Sequence, residues 1–167
     1  PDWLAAKVGE AATRDLLKLA DEARRFLDTL VAEEAIDCDL TGGLIHAVHK
    51  SRAVEGERRH IDHLRTKWGI EHQFLDRDET ARRLGTDVYH AASYDPKGGK
   101  LQPLKLALGL ARSAAARGAE IHEDSRVVAI THGPKVIVRT PKGEVMADHV
   151  LLCGNGYLGG LDPATDE

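Results

Sequence analysis

The sequence predicts a mixed α/β fold, and three observations predict it. Apolar residues recur at helical spacing along the amino-terminal segment, from Trp3 to Glu34. A second helical stretch opens at Pro103 and runs through one glycine directly into a β-branched segment, the layout of an α/β crossover. Three short strand-like runs then follow one another at turn signals, which reads as an antiparallel meander.

The elements follow in order. Val8, Ala12, Leu16, Leu19, Ala23, Leu27, Leu30 and Val31 place an amphipathic helix over 3–34, started or kinked by Gly9, since glycine inside a helix costs roughly 1 kcal/mol against alanine. Thr41-Gly42-Gly43 marks a turn, and Leu44 to His49 is a short strand by length and β-branched content. Ser51 is placed to cap a charged helix that reaches Trp68 and ends on Gly69. Asp76 with Glu79 three positions on forms a capping-box pattern for a short helix stopping at Gly85. Tyr94-Asp95-Pro96-Lys97-Gly98-Gly99 is a loop by composition.

Pro103 fits the first position of a helix whose apolar stripe is Leu104, Leu108, Ala111 and Ala115, ending before Gly118. Ala119 to Glu123, Val127 to Thr131, Lys135 to Thr140 and Glu144 to Ala147 read as strands. His149 to Cys153 is a compact apolar run, a buried strand whose carboxyl end opens onto Gly154-Asn155-Gly156.

With 167 residues, 42% hydrophobic and 30% charged, the chain is long enough for one sizeable core and is neither a disordered tail nor a membrane span. The balance of 23 Lys and Arg against 27 Asp and Glu, a net charge of -4, disfavours nucleic acid and anionic membranes as partners. Aromatics at 4% leave no stacking platform for bases. The two cysteines, Cys38 and Cys153, are neither a disulfide framework nor a metal quartet; they read as small buried hydrophobes in a reducing cytoplasm.

Catalytic motifs are sparse. Gly154 to Gly159 matches GxGxxG behind a strand, but Gly160, Asp162 and Pro163 interrupt the helix that a pyrophosphate site needs. The pairs His46/His49 and His60/His63 have no cysteine or carboxylate at ligand spacing, and the first pair points to opposite faces of a strand, so no metal is expected. No serine stands in a GxSxG elbow, no cysteine in CxxC, and no P-loop occurs.

Taken together, several stretches resemble the D-amino-acid-oxidase-like family of FAD-dependent oxidoreductases, most nearly its gamma-glutamylputrescine-oxidase-like members. They are Ile36-Asp37-Cys38-Asp39 through Gly43-Leu44, Leu75-Asp76 to Leu84-Gly85, Tyr94-Asp95-Pro96-Lys97-Gly98-Gly99-Lys100-Leu101-Gln102-Pro103, Gly118 to Glu123, Ser125-Arg126-Val127, Thr140 to Gly143, and Val150 to Leu158. The resemblance implies an incomplete FAD/NAD(P)-binding-type fold. Residues 1–36 and 101–167 would be portions of the FAD lobe, and 37–100 a portion of a substrate lobe.

It further implies FAD as cofactor and oxidation of a small-molecule amine or amino acid by hydride transfer to the flavin. Val127 would lend its backbone to the adenine end, while Gly154, Asn155 and Gly156 would lie beside the dinucleotide. Tyr94 and His46 are the candidates for the amine pocket, with packing as the alternative role for each; no catalytic residue is assigned.

The chain begins Pro1-Asp2 and lacks the family's opening strand, GxGxxG turn and helix, so it is expected to be a fragment that retains FAD weakly or not at all and is inactive alone. Apolar surface left exposed would favour a homo-oligomer. The alternative is a non-enzymatic ligand-binding or interaction module on a relic flavoprotein scaffold.

Overall fold

The structure is a computed structural model that describes residues 1–155 together with Leu158 and Leu161. Its contacts divide the chain into two compact units, Pro1–Gly118 and Ala119–Glu167.

The first unit opens with α1 (Asp2–Val8) and α2 (Glu10–Glu33), separated at Gly9, whose φ of 86° no ordinary helical residue adopts. The single helix expected over 3–34 is therefore two. Thr13 is fully buried just inside the break, and its hydroxyl donates to the Gly9 carbonyl at 2.8 Å.

Three strands, β1 (Thr41–Val48), β2 (Gln73–Leu75) and β3 (Ala91–Lys100), form an antiparallel sheet in the order β1-β3-β2. Both stretches read as turns from their glycines, Thr41–Gly43 and Tyr94–Gly99, are strand ends instead. Each provides the other's ladder partner: Thr41 pairs with Lys100 and Gly42 with Gly99, with a bulge before Leu44 meets Asp95. Pro96 is tolerated because it lies beyond the β2 pairing, which stops at Tyr94 opposite Gln73.

The segment Ser51–Trp68 is helical as expected, passing from a 3-10 turn (Ser51–Ala53) through α3 (Val54–His63) to a π turn (Leu64–Trp68) that ends on left-handed Gly69. Ser51 makes no side-chain cap, since the first position is Lys50. Helix α4 (Arg77–Leu84) has the cap expected of it: Asp76 Oδ1 accepts the Glu79 amide at 2.8 Å, and Gly85 terminates the helix in the left-handed region. The Glu79 carboxylate turns instead to Arg82 and Arg83, so only half of the capping box forms. Asp76→Ala should cost about 1 kcal/mol in urea denaturation, and Asp76→Asn, which can still accept that bond, only a fraction of it.

Helix α5 (Pro103–Ala116) starts with Pro103 in its first turn, where the Gln102 side chain accepts from the Leu104 amide at 2.7 Å. Its buried face differs from the expected stripe. Leu104 and Leu108 are 63% and 50% exposed, whereas Gly109 is buried and Leu106 packs on the cluster Val31, Ile36 and Cys38 with Leu27, Leu40 and Leu101. The other buried hydrophobic residues among those described are Val48, Ile61, Leu64, Trp68, Leu75, Ala91 and Ala92, which lie on both faces of the sheet and in the α3 run.

At the carboxyl ends of α2 and α5 the Arg117 guanidinium grips Glu34 with both nitrogens, at 2.5 and 2.6 Å, and Ser113 donates to the same carboxylate. Arg117 first, then Ser113, holds the Glu34 carboxyl below its ordinary range. A carboxyl depressed on folding stabilises fully above its unfolded pKa, about 4.3, and loses that contribution as pH falls through the folded value. Arg117→Gln should therefore lower the urea midpoint at pH 7, and the gap to the parent chain should close as the pH drops below about 4.

The second unit contains the expected antiparallel meander, β4 (Ala129–Thr131), β5 (Val136–Thr140) and β6 (Gly143–Ala147), in sequential order. Two expected strands are absent from it among the described residues. Ala119–Glu123 and His149–Cys153 run without ladder partners, leaving Ile121 53% and Leu151 86% exposed. An apolar run becomes a buried strand only when neighbours take up its amides and carbonyls, and none of the described strands does so. Cys153 is accordingly exposed, while Cys38 is buried as expected. No helix among the described residues is long and apolar enough to cross a membrane.

Candidate functional site

Strand alternation sorts the side chains of the three-stranded sheet. Ile45, Tyr94 and Gln73 are cross-strand partners and share one face with Leu75; His46, Ser93 and Phe74 are partners and share the other. Tyr94 and His46 therefore project to opposite sides, and a single pocket can take only one of them.

On the Tyr94 side stands α4, whose Arg83 guanidinium lies 5.0 Å from the Tyr94 ring centre. The phenol also lies over Gly43, where a Cβ would fall 2.4 Å from Tyr94 Oη, and Gly43 holds a φ of 81°. A side chain at that position is thus excluded twice, by the ring and by the backbone conformation.

On the His46 side stands α3, with Arg58 3.7 Å from the centre of the Phe74 ring. His46 stacks on His72 at 6.5 Å between ring centres and 11° between planes. His72 Nε2 in turn stands 3.9 Å from Asp95 Oδ1, which also accepts the Lys97 amide at 2.9 Å. His72 and Asp95 carry no motif of their own; strand alternation groups them with His46 only once Tyr94–Gly99 is strand.

His72 and Asp95 reach the wall of a cleft of about 510 Å³, closed on its other side by α2 and by the segment Trp68–Glu71. Arg24 fixes the ribbon beside this cleft, donating to the Lys97 carbonyl at 3.3 Å and pairing with Asp28 at 3.1 Å. Lys97 is tied to Asp21 at 2.8 Å and holds that carboxyl below its ordinary range.

Two other histidines of the HxxH pairs have partners from elsewhere in the chain. His49 meets Tyr89 edge-on at 6.2 Å, and His63 Nε2 is 2.8 Å from Asp2 Oδ2. Among the described residues no group of three His, Cys, Asp or Glu stands close enough to hold a metal ion.

The residues expected beside the dinucleotide belong to the second unit. Val127 is half-buried just before β4, and the Val128 amide donates to the Arg139 carbonyl at 2.8 Å. Gly154 has the side chain of Leu158 where its Cβ would be, 2.5 Å away, and Asn155 holds a left-handed φ of 50°. Gly156 lies outside the described residues.

The family of FAD dependent oxidoreductases, DAO, matches residues 2–166. The chain belongs to that family. Its relatives in the DAO family include a probable oxidoreductase OrdL of Rhizobium meliloti, 34% identical over 160 residues that make up 95% of this chain and 37% of that protein. The gamma-glutamylputrescine oxidoreductase of Escherichia coli is 30% identical over 161 residues, with the same two shares. Among solved structures, glycine oxidase from Geobacillus kaustophilus superposes with a TM-score of 0.69 at 26% identity over 80% of this chain and 38% of that one. Glycine oxidase from Bacillus cereus gives 0.66 at 28% identity, over 80% and 39%. This DAO chain thus spans a little over a third of the length of the proteins it resembles. The mixed α/β architecture expected of a partial FAD-binding fold is the one these structural neighbours share.

Proposed function

We propose that the chain is a segment of an FAD-dependent oxidoreductase that oxidises a small amine or amino acid. The observation that carries this reading is the family match along residues 2–166, supported by relatives named for gamma-glutamylputrescine and glycine. Residues 1–36 and 101–167 belong in this reading to the FAD lobe and 37–100 to the substrate lobe. FAD, when bound, supplies the acceptor for the hydride leaving the carbon that bears the amine.

The edge of such a cofactor is assigned to the loop where left-handed Asn155 turns the chain and where Gly154 leaves room for the Leu158 side chain. Val127, Gly154, Asn155 and Gly156 would hold that edge through main-chain groups. On the substrate side, Tyr94 and His46 serve as alternatives, one for each face of the sheet.

Because the chain spans a little over a third of the length of its relatives, this segment is proposed to retain FAD poorly and to be inactive by itself. The test compares the 167-residue chain with a longer protein that contains it. The longer protein should purify with a flavin spectrum that bleaches anaerobically when an amine or amino acid is added, and the short chain should be colourless. A colourless longer protein, or a flavin that no amine reduces, would sink the proposal.

The exposed apolar residues of α2, Leu19 at 59% and Phe26 at 68%, support self-association of the chain. Sedimentation at increasing concentration should show it, and Phe26→Asp should suppress it; a monomer at all concentrations speaks against it.

A further inference from the structure

We infer that α2 pairs antiparallel with the α2 helix of a second copy of this chain, along an exposed seam that runs from Ala12 to Leu30. The inference rests on the self-association proposed above and names its surface and its geometry.

Helix α2 has two faces that differ in what covers them. On the inner one, Thr13, Leu17, Arg24, Leu27 and Val31 are buried or half-buried in the first unit. The outer one consists of Ala12, Leu16, Leu19, Ala23, Phe26 and Leu30, which step by alternating fours and threes, the spacing of a coiled-coil seam. All of these but half-buried Leu30 are exposed. Lys18 and Arg25 are engaged by Asp15 and Asp21 of the same helix, so neither cation has to give up a partner when the seam closes.

The order of side-chain sizes along the seam decides its occupant, because the seam read in the opposite direction matches itself. When Leu19 is set against Leu30 of the second copy, Ala23 falls against Phe26, Phe26 against Ala23, and Leu30 against Leu19. Each ring then meets a methyl, the large-against-small layering that fills space without voids. A parallel pair would instead crowd Phe26 against Phe26 and leave Ala23 facing Ala23. The antiparallel register also sets Glu22, at the border of the seam, opposite Thr29 rather than a second carboxylate, and it opposes the two helix dipoles. A two-fold axis passing between Ala23 and Phe26 makes the contact isologous, closed at two copies.

The test uses the 167-residue chain with Cys153, its exposed thiol, replaced by serine. Copies carrying Leu19→Cys and copies carrying Leu30→Cys are mixed under air, and the products are separated by mass. A disulfide should join the two kinds of chain to each other and neither to its own kind, because the second residue 19 lies eleven positions, about 16 Å, further along the helix. Ala23→Phe, at an exposed position, sets ring against ring and should weaken self-association in sedimentation by about tenfold or more. Adding Phe26→Ala to the same chain restores the large-against-small layers and should bring the association back to within about threefold of the parent.

The inference is overturned if Leu19→Cys chains link to their own kind, as a parallel pair would. It is equally overturned if a self-associating chain forms no mixed disulfide, which moves the contact to another face such as the exposed leucines of α5, or if Ala23→Phe strengthens the association as an added apolar ring on an unspecific surface would. Those outcomes leave self-association itself standing, whereas a chain that stays monomeric at every concentration removes both.

Discussion

Gly109→Val should lower the stability of the first unit by about 2 kcal/mol or more, visible as a drop of several degrees in the thermal midpoint. A Cβ at this position would lie 2.3 Å from Ile36 Cγ2, 3.0 Å from Cγ1 and 3.2 Å from the Ile36 Cβ itself. Rotating the isoleucine about χ1 leaves its Cβ where it is, so relief requires movement of the backbone or of α5. Ile36 is 6% exposed and belongs to the cluster with Val31 and Cys38, which fixes it further. Removing a glycine from a helix interior recovers up to about 1 kcal/mol of propensity, less than the overpacking costs. The internal control is Gly56→Ala in α3, where a Cβ would meet nothing within 4 Å. That substitution should stabilise by about 0.5–1 kcal/mol. Thermal melts of the two variants should move in opposite directions; two shifts of the same sign would show that α5 does not approach Ile36 through its glycine.

The same glycine explains why α5 was only half legible. Its start was written locally, in Gln102 and Pro103, and so were the ends at Gly69 and Gly85 and the cap at Asp76. Its buried face was not, because leucines stand on two sides of the helix and the side that packs is the one where a glycine permits close approach. Hydrophobicity cannot register a residue that packs by having no side chain. The strand β3 was missed for a related reason. Asp95, Pro96, Gly98 and Gly99 carry turn chemistry, and only pairing with Gly42 and Thr41, more than 50 positions away, makes them a ribbon. Missing the ribbon also hid His72 and Asp95, which share a face with His46 only if the strand continues to Asp95. The opposite error befell 119–123 and 149–153, whose composition suits a strand but which no described strand pairs. Caps and helix ends are therefore written in local sequence, whereas pairing between distant segments is not.

Leu64→Ala should be a costly truncation, removing roughly 2–5 kcal/mol. Leu64 is 4% exposed in the turn that follows α3, beside the buried Ile61 and Trp68. Its backbone is also engaged, since its carbonyl accepts from the Ile70 amide at 3.2 Å, so the turn cannot readily collapse into the space left by the side chain. A cavity that its surroundings cannot close carries the full penalty of lost contacts as well as the lost transfer energy. Leu104→Ala offers the comparison. The same chemical change at a residue 63% exposed should stay within about 0.5 kcal/mol. The two leucines are indistinguishable by hydropathy, so a difference of several-fold between them reports the packing alone. Helix α3 contacts β2 and β3 and places Arg58 over Phe74, while Trp68 ends the same helical run. Loss of Leu64 should therefore loosen the His46 face and shift Trp68 emission to the red in step with the change in circular dichroism. An emission change well ahead of the main transition would instead place Trp68 in a separately melting segment, and Leu64 would then hold only the turn.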